Sequence, residues 1–310
     1  VPELSTRGPR AARSAVAVKA GVVLAGVAAA VLASGAAIAA ADAAGPLPEG
    51  ADYVALGSSY GAGPGLKPVV DVGCMRSGAD YAHRIADQYR LHLIDVACSG
   101  ATVSNILSRP QRAFHRSVEP QIDAVTPGTR LVTVVVGGND LDYIGGITTQ
   151  SCHNSLPRVV SGRVKVCSGK VAKATSDFTA VEHSLIRVVT AVRGKAPDAI
   201  VVIVDYLPIL DPAATACTRV PLTHEQAVAF RKTYDGLLAA TERAATATGA
   251  RLARVPDATP EDHTPCGSQP WITGYEVPNP AEGKGIPYHP TDAGMAVMAD
   301  AVADTLGKGA

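Results

Sequence analysis

The chain has 310 residues, of which 47% are hydrophobic and 18% charged. That composition suffices for one sizeable buried core and is too apolar for a chain disordered along its length. Its 28 Lys+Arg balance 28 Asp+Glu, which argues against a broad electropositive face, so no nucleic-acid partner is expected.

The first 44 residues read apart from the rest. Arg7, Arg10, Arg13 and Lys19 make a basic start, and an uncharged Ala/Val/Leu run follows from Ala20 to Ala41. Ala39, Ala41, Ala43 and Ala44 supply the small residues of a cleavage pattern. This is the three-part form of an export signal. Because the run is longer than the usual apolar region, a retained membrane anchor is the competing reading. Both readings place the body of the protein outside the cytoplasm, secreted or at the cell envelope. The six cysteines, Cys74, Cys98, Cys152, Cys167, Cys217 and Cys266, all follow this segment without zinc-type spacing, as expected of disulfides in an exported protein.

From residue 45 to the end, strand and helix signals alternate. Short apolar or β-branched runs predict strands at Tyr53–Leu56, His92–Ala97, Leu131–Val136, Ile200–Asp205 and Arg251–Val255. Helical spacing predicts helices at Ala79–Tyr89, Val171–Val192, His224–Thr248 and Thr291–Leu306. The alternation implies an α/β fold, a three-layer αβα sandwich around a mostly parallel sheet. Without repeats or a change in composition, residues 45–310 read as a single domain and the protein as a monomer.

In such sheets the working residues lie on loops at the carboxyl ends of strands, and the unusual residues of this chain fall there. The first predicted strand runs into Gly57-Ser58-Ser59-Tyr60-Gly61-Ala62-Gly63, where glycines permit the close backbone approach that an exposed serine nucleophile needs. The spacing fits neither a dinucleotide fingerprint nor a phosphate-binding loop. The second loop carries Ser99-Gly100-Ala101 and the third Gly137-Gly138-Asn139-Asp140. The Asn139 amide is suited to face a developing oxyanion, although the same residues also make a good tight turn. Among eight histidines, His289 stands out because it precedes Pro290 and a helix start at Thr291 and Asp292. His224-Glu225 opens like a zinc motif but lacks its second histidine.

Ser59, Gly100, Asn139 and His289 in that order resemble the four blocks of the SGNH (GDSL-type) hydrolase superfamily, over essentially Tyr53 to Met298. The resemblance implies that Ser59 is the nucleophile and donates its backbone N–H to the oxyanion hole. It implies that Gly100 N–H and the Asn139 side chain complete that hole, that His289 is the base, and that no metal or organic cofactor is needed. Similarity to secreted bacterial members implies the pairs Cys74–Cys98, Cys152–Cys167 and Cys217–Cys266. Two positions depart from the pattern. Ser58 stands where the family has Asp before the nucleophile, and Ile286 stands where it has the Asp that orients the histidine. The Ile286 backbone carbonyl is the first choice for that orienting role, with Asp262 or Asp257 second. The expected activity is serine-dependent hydrolysis of carboxylic esters, of the esterase or lipase type. The alternatives are a carbohydrate O-acetyl esterase, an α/β-hydrolase in which Gly57-x-Ser59-x-Gly61 forms a nucleophile elbow, and a non-catalytic cell-surface binding protein. Trp271, Tyr60 and Tyr143 are candidates for lining an acyl pocket.

Overall fold

A computed structural model describes residues 47–155, 167, 177–255, 262–276 and 286–307. By contacts the chain divides into Val1–Ala40 and Ala41–Ala310. Residues 1–46, which include the segment expected to direct export, lie outside the described residues, and every element named below belongs to the second unit.

In chain order the elements are β1 (Asp52–Gly57), α1 (Ser59–Ala62), β2 (Val69–Asp71), β3 (Arg76–Ser77), α2 (Tyr81–Tyr89), β4 (His92–Asp95) and α3 (Val103–Leu107). There follow β5 (Gln111–Ala113), β6 (Arg116–Val118), β7 (Thr129–Val135), α4 (Tyr143–Ser155), α5 (Phe178–Lys195), β8 (Ile200–Val204), α6 (His224–Thr248), β9 (Arg251–Ala253) and α7 (Asp292–Leu306). Five strands form one sheet in the order β4-β1-β7-β8-β9, and every pair in it is parallel. The interior strands read as unbroken apolar runs, as in Ile200–Val204, because helices cover both faces. Helix α2 packs on α7, whereas α5 packs on α3 and α6, giving the three expected layers. No helix among the described residues is long and apolar enough to cross a membrane.

The helix ends follow from local chemistry. Thr223 and Gln226 form a capping box at the start of α6, and Gly249 ends it at φ +65°. Thr291 Oγ1 accepts from Gly294 N at 3.1 Å at the start of α7. The predicted helix from Val171 begins at Phe178 among the described residues; 171–176 lie outside them. The cysteines pair as Cys74–Cys98, Cys152–Cys167 and Cys217–Cys266. Each closes a loop and so restricts the unfolded chain.

Two hairpins, β2–β3 and β5–β6, have no counterpart in the expectations. Strands of two or three residues are too short to show a period.

Asp205, just after β8, is 4% exposed, and its Oδ1 has no hydrogen-bond partner among the described residues. Burial pushes its carboxyl from 3.8 up to about 7, against the pull of Arg254. The folded protein therefore holds a proton that the unfolded chain releases near 3.8. The resulting stability is complete below 3.8 and is lost as pH rises through about 7. Asp205→Asn is expected to raise the unfolding free energy at pH 8 by roughly 2–4 kcal/mol relative to wild type, and by much less at pH 5. Urea unfolding at the two pH values checks this; an equal difference at both would show that ionisation is not the cause.

Candidate active site

Counted along the main sheet, the strands run in the order 2-1-3-4-5. The strand order reverses between β1 and β7, and in sheets of this kind a binding crevice lies outside the carboxyl ends of the strands at that point. Ser59 follows the first strand of this sheet and Gly137–Asp140 follows its neighbour. This strand position argues against the nucleophile-elbow alternative, in which the serine follows a later strand of the sheet.

The β1 junction is held from two sides. Gln121 clamps both backbone groups of Gly57, accepting from its N at 2.8 Å and donating to its O at 2.9 Å. Ser58 N donates to Val135 O at 3.0 Å. A Cβ at Gly57 would lie 2.9 Å from that same oxygen, so glycine is required for the strands to approach. Ser58 immediately precedes the short α1 and Ser59 is its first residue, 7% exposed. The backbone N–H groups of a first helical turn have no intrahelical acceptor.

In place of a carboxylate, Ser58 Oγ lies 3.0 Å from Tyr206 Oη, and that phenol accepts from Gly138 N at 3.2 Å. Tyr206 thus joins the first loop to the third. A Cβ on Gly138 would sit 2.8 Å from the Tyr206 ring, which explains the glycine. Between the second and third loops the link is Asn139, whose Nδ2 donates to Ala101 O at 2.9 Å. Gly100 adopts φ +85°, a conformation open to glycine and strained for other residues. Asp140 accepts from Val103 N at the start of α3.

His289 comes to the same end of the sheet on the segment before α7. Tyr60 Oη, one residue from Ser59, donates to Tyr288 O at 3.0 Å, one residue from His289. The Tyr60 and His289 rings lie 5.8 Å apart. Thr273 frames the histidine backbone, its Oγ1 accepting from His289 N at 3.0 Å and its N donating to His289 O at 2.9 Å. His289 is 6% exposed, and burial lowers its imidazole from 6.5 to about 4, opposed by the carbonyls of Pro287 and Ile286.

The oxygen at hydrogen-bond distance from Nδ1 is Pro287 O, at 2.8 Å. Ile286 O, the expected partner, accepts from Thr273 Oγ1 at 2.8 Å and has the weaker influence on the ring. Asp262 is engaged within its own loop by Ser268 Oγ and Gln269 N, and Asp257 lies outside the described residues. A carbonyl only accepts, so Nδ1 carries the proton and Nε2 the lone pair.

Of the aromatic candidates, Tyr60 and Tyr143 are buried in the core, whereas Trp271 is half-buried. Tyr60 is 0% and Tyr143 1% exposed, and Trp271 stacks on His263 at 4.0 Å. Gln121, Tyr206 and Thr273 were not anticipated. Tyr206 lies two residues beyond the end of β8, at a strand's carboxyl end like Ser59.

Comparison with known proteins accords with this geometry. Lipase 2 of Streptomyces coelicolor is 32% identical over 83% of this chain and 86% of that protein. A phospholipase A1 from Streptomyces albidoflavus superposes with a TM-score of 0.63 at 25% identity, covering 83% of this chain and 99% of that one. The extracellular lipase of Streptomyces rimosus gives a TM-score of 0.60 at 25% identity, over 82% and 99%. The profile of the GDSL-like lipase/acylhydrolase family matches residues 55–297, and with a serine and a histidine brought to the switch point of the sheet, the chain belongs to that family and is an ester hydrolase.

Proposed function

We propose that Ser59 and His289 work as a dyad that cleaves carboxylic esters through an acyl-enzyme. The link from Tyr60 to Tyr288 carries this reading, because it ties the neighbour of each partner to the other across the crevice. Nε2 of His289 takes the Ser59 proton as Oγ attacks the ester carbonyl. The oxyanion is received by Ser59 N–H, Gly100 N–H and the second N–H of the Asn139 amide, the first being engaged by Ala101 O. His289 then protonates the departing alcohol. Water, deprotonated by the same imidazole, releases the acid and restores Ser59. Residues 45–310 constitute the catalytic domain, and residues 1–44 export it. The three disulfides and the likeness to an extracellular lipase support the exported state.

The Pro287 carbonyl orients the ring but adds no full negative charge to stabilise imidazolium. Burial therefore dominates, and the base stays neutral down to about pH 4. A fluorophosphonate probe is expected to label Ser59 at a rate that holds from neutral pH to about 5 and falls as pH drops through about 4. Peptide mapping of the labelled protein across pH checks both points. An inert Ser59 would favour a binding protein that has kept the hydrolase fold, and an acid limb near 6.5 would mean that burial does not govern the base.

A further inference from the structure

Six large apolar side chains are exposed among the described residues, and five lie on the two small hairpins: Val69, Val70, Val72, Met75 and Phe114. Val72 and Phe114 are the most exposed, at 68% and 66%. The tips touch one another. A Cβ on Gly73 would lie 3.0 Å from Arg116 Nε and 3.5 Å from Ala113 O, and Arg116 pairs with Asp71 across the gap. Phe114 is a poor folding choice where it stands. It occupies a two-residue turn between the paired Ala113 and Arg116, at φ +55°, where Asn or Gly is favoured. Met75, in the other tip, also has positive φ, 53°. Bulky apolar side chains in strained backbone, turned to solvent, contribute nothing to the core.

Their mounting explains the arrangement. Gln111 Nε2 of β5 donates to Ser99 O at 2.7 Å, Arg76 Nη1 of β3 donates to Ala97 O at 2.8 Å, and Cys74 is bonded to Cys98. Both hairpins are thereby fixed to the loop that carries Gly100. The same segments hold exposed Lys67, Arg109 and Arg112, none with an ion-pair partner among the described residues. Their acids are Asp71, held by Arg76 and Arg116, and the exposed Glu119. This leaves a local cationic excess in a chain of zero net charge.

We propose that the paired tips dock the enzyme on an anionic lipid surface, with Phe114 and Val72 inserted and the basic side chains facing the headgroups. This rests on the ester-hydrolase reading and names the physical form of its substrate. Apolar burial and attraction to anionic lipid act together at such surfaces.

The test uses the full chain with Ser59→Ala, so that docking is read without turnover. Phe114→Trp in that background places a reporter at the tip, independent of any membrane contact by residues 1–44. With vesicles of phosphatidylcholine and phosphatidylglycerol, its emission is expected to shift to the blue and to be quenched by brominated lipid, beyond the response of the parent. With phosphatidylcholine alone, binding is expected to be about fivefold or more weaker for each basic side chain engaged. In the Ser59 enzyme, Phe114→Asn with Val72→Ser should slow hydrolysis of vesicle-borne esters about tenfold or more and leave p-nitrophenyl acetate hydrolysis unchanged. Asn tolerates positive φ, so the turn is kept, and the soluble ester reports an intact fold. Absence of quenching at position 114, equal binding to both vesicles, or vesicle hydrolysis unaffected by the double substitution would each overturn the docking surface. A Ser59→Ala protein that still cleaves p-nitrophenyl acetate would instead overturn the catalytic reading.

Discussion

Replacing Ser59 with alanine is expected to lower kcat for p-nitrophenyl butyrate on the order of 10⁴–10⁶-fold, with KM little changed. In the proposed dyad nucleophile and base act as a unit, so the effect is large: removing the hydroxyl leaves His289 with no proton to take. The adjacent hydroxyl cannot deputise. Ser58 is 1% exposed, and its Oγ lies 3.0 Å from Tyr206 Oη behind the first loop. Fold is not at stake, since Ser59 lies at the first position of α1, where alanine is well tolerated. Initial rates over a range of ester concentrations, with the unfolding midpoint measured alongside, check this. Loss of less than about tenfold would end the claim that Ser59 forms the acyl-enzyme.

The parts of the fold legible in the sequence were those whose pattern is long. Ile200–Val204 is buried throughout, and α6 is bounded by a capping box and a left-handed glycine, so composition and caps suffice to place them. The hairpins were not legible. Two- and three-residue strands such as Arg76–Ser77 owe their geometry to the Cys74–Cys98 bond and to Arg116, which are tertiary facts. The site divides in the same way. Gly57 and Gly100 are recognisable because backbone geometry demands glycine there. The partner of His289 was displaced by one residue because a carbonyl has no sequence signature: any residue carries one, and only the turn after Ile286 decides which oxygen meets Nδ1. Likewise, the loss of the usual Asp at position 58 reads as a defect until Tyr206 is seen to reach over from β8 and join that serine to Gly138.

For Asn139→Ala, kcat is expected to fall on the order of 10²–10³-fold while KM stays close to wild type. The side-chain amide has two N–H groups. One holds Ala101 O at 2.9 Å, which fixes the direction of the other and keeps the second loop, with Gly100, in register with the third. An alanine removes the proposed oxyanion donor and that brace together. Losing the brace costs about 1 kcal/mol of stability, so the protein should remain folded and still accept substrate. The interaction with the oxyanion strengthens only as charge develops on the carbonyl oxygen, which is why the loss falls on kcat. Asn139→Asp keeps the shape of the side chain but can donate neither to Ala101 O nor to the oxyanion, and it turns a carboxylate toward a negative transition state. It should be the worse enzyme of the two. If instead the aspartate variant matches wild type, or the alanine variant loses activity through KM alone, the Asn139 amide does not hold the oxyanion, which must then be received by backbone N–H groups without it.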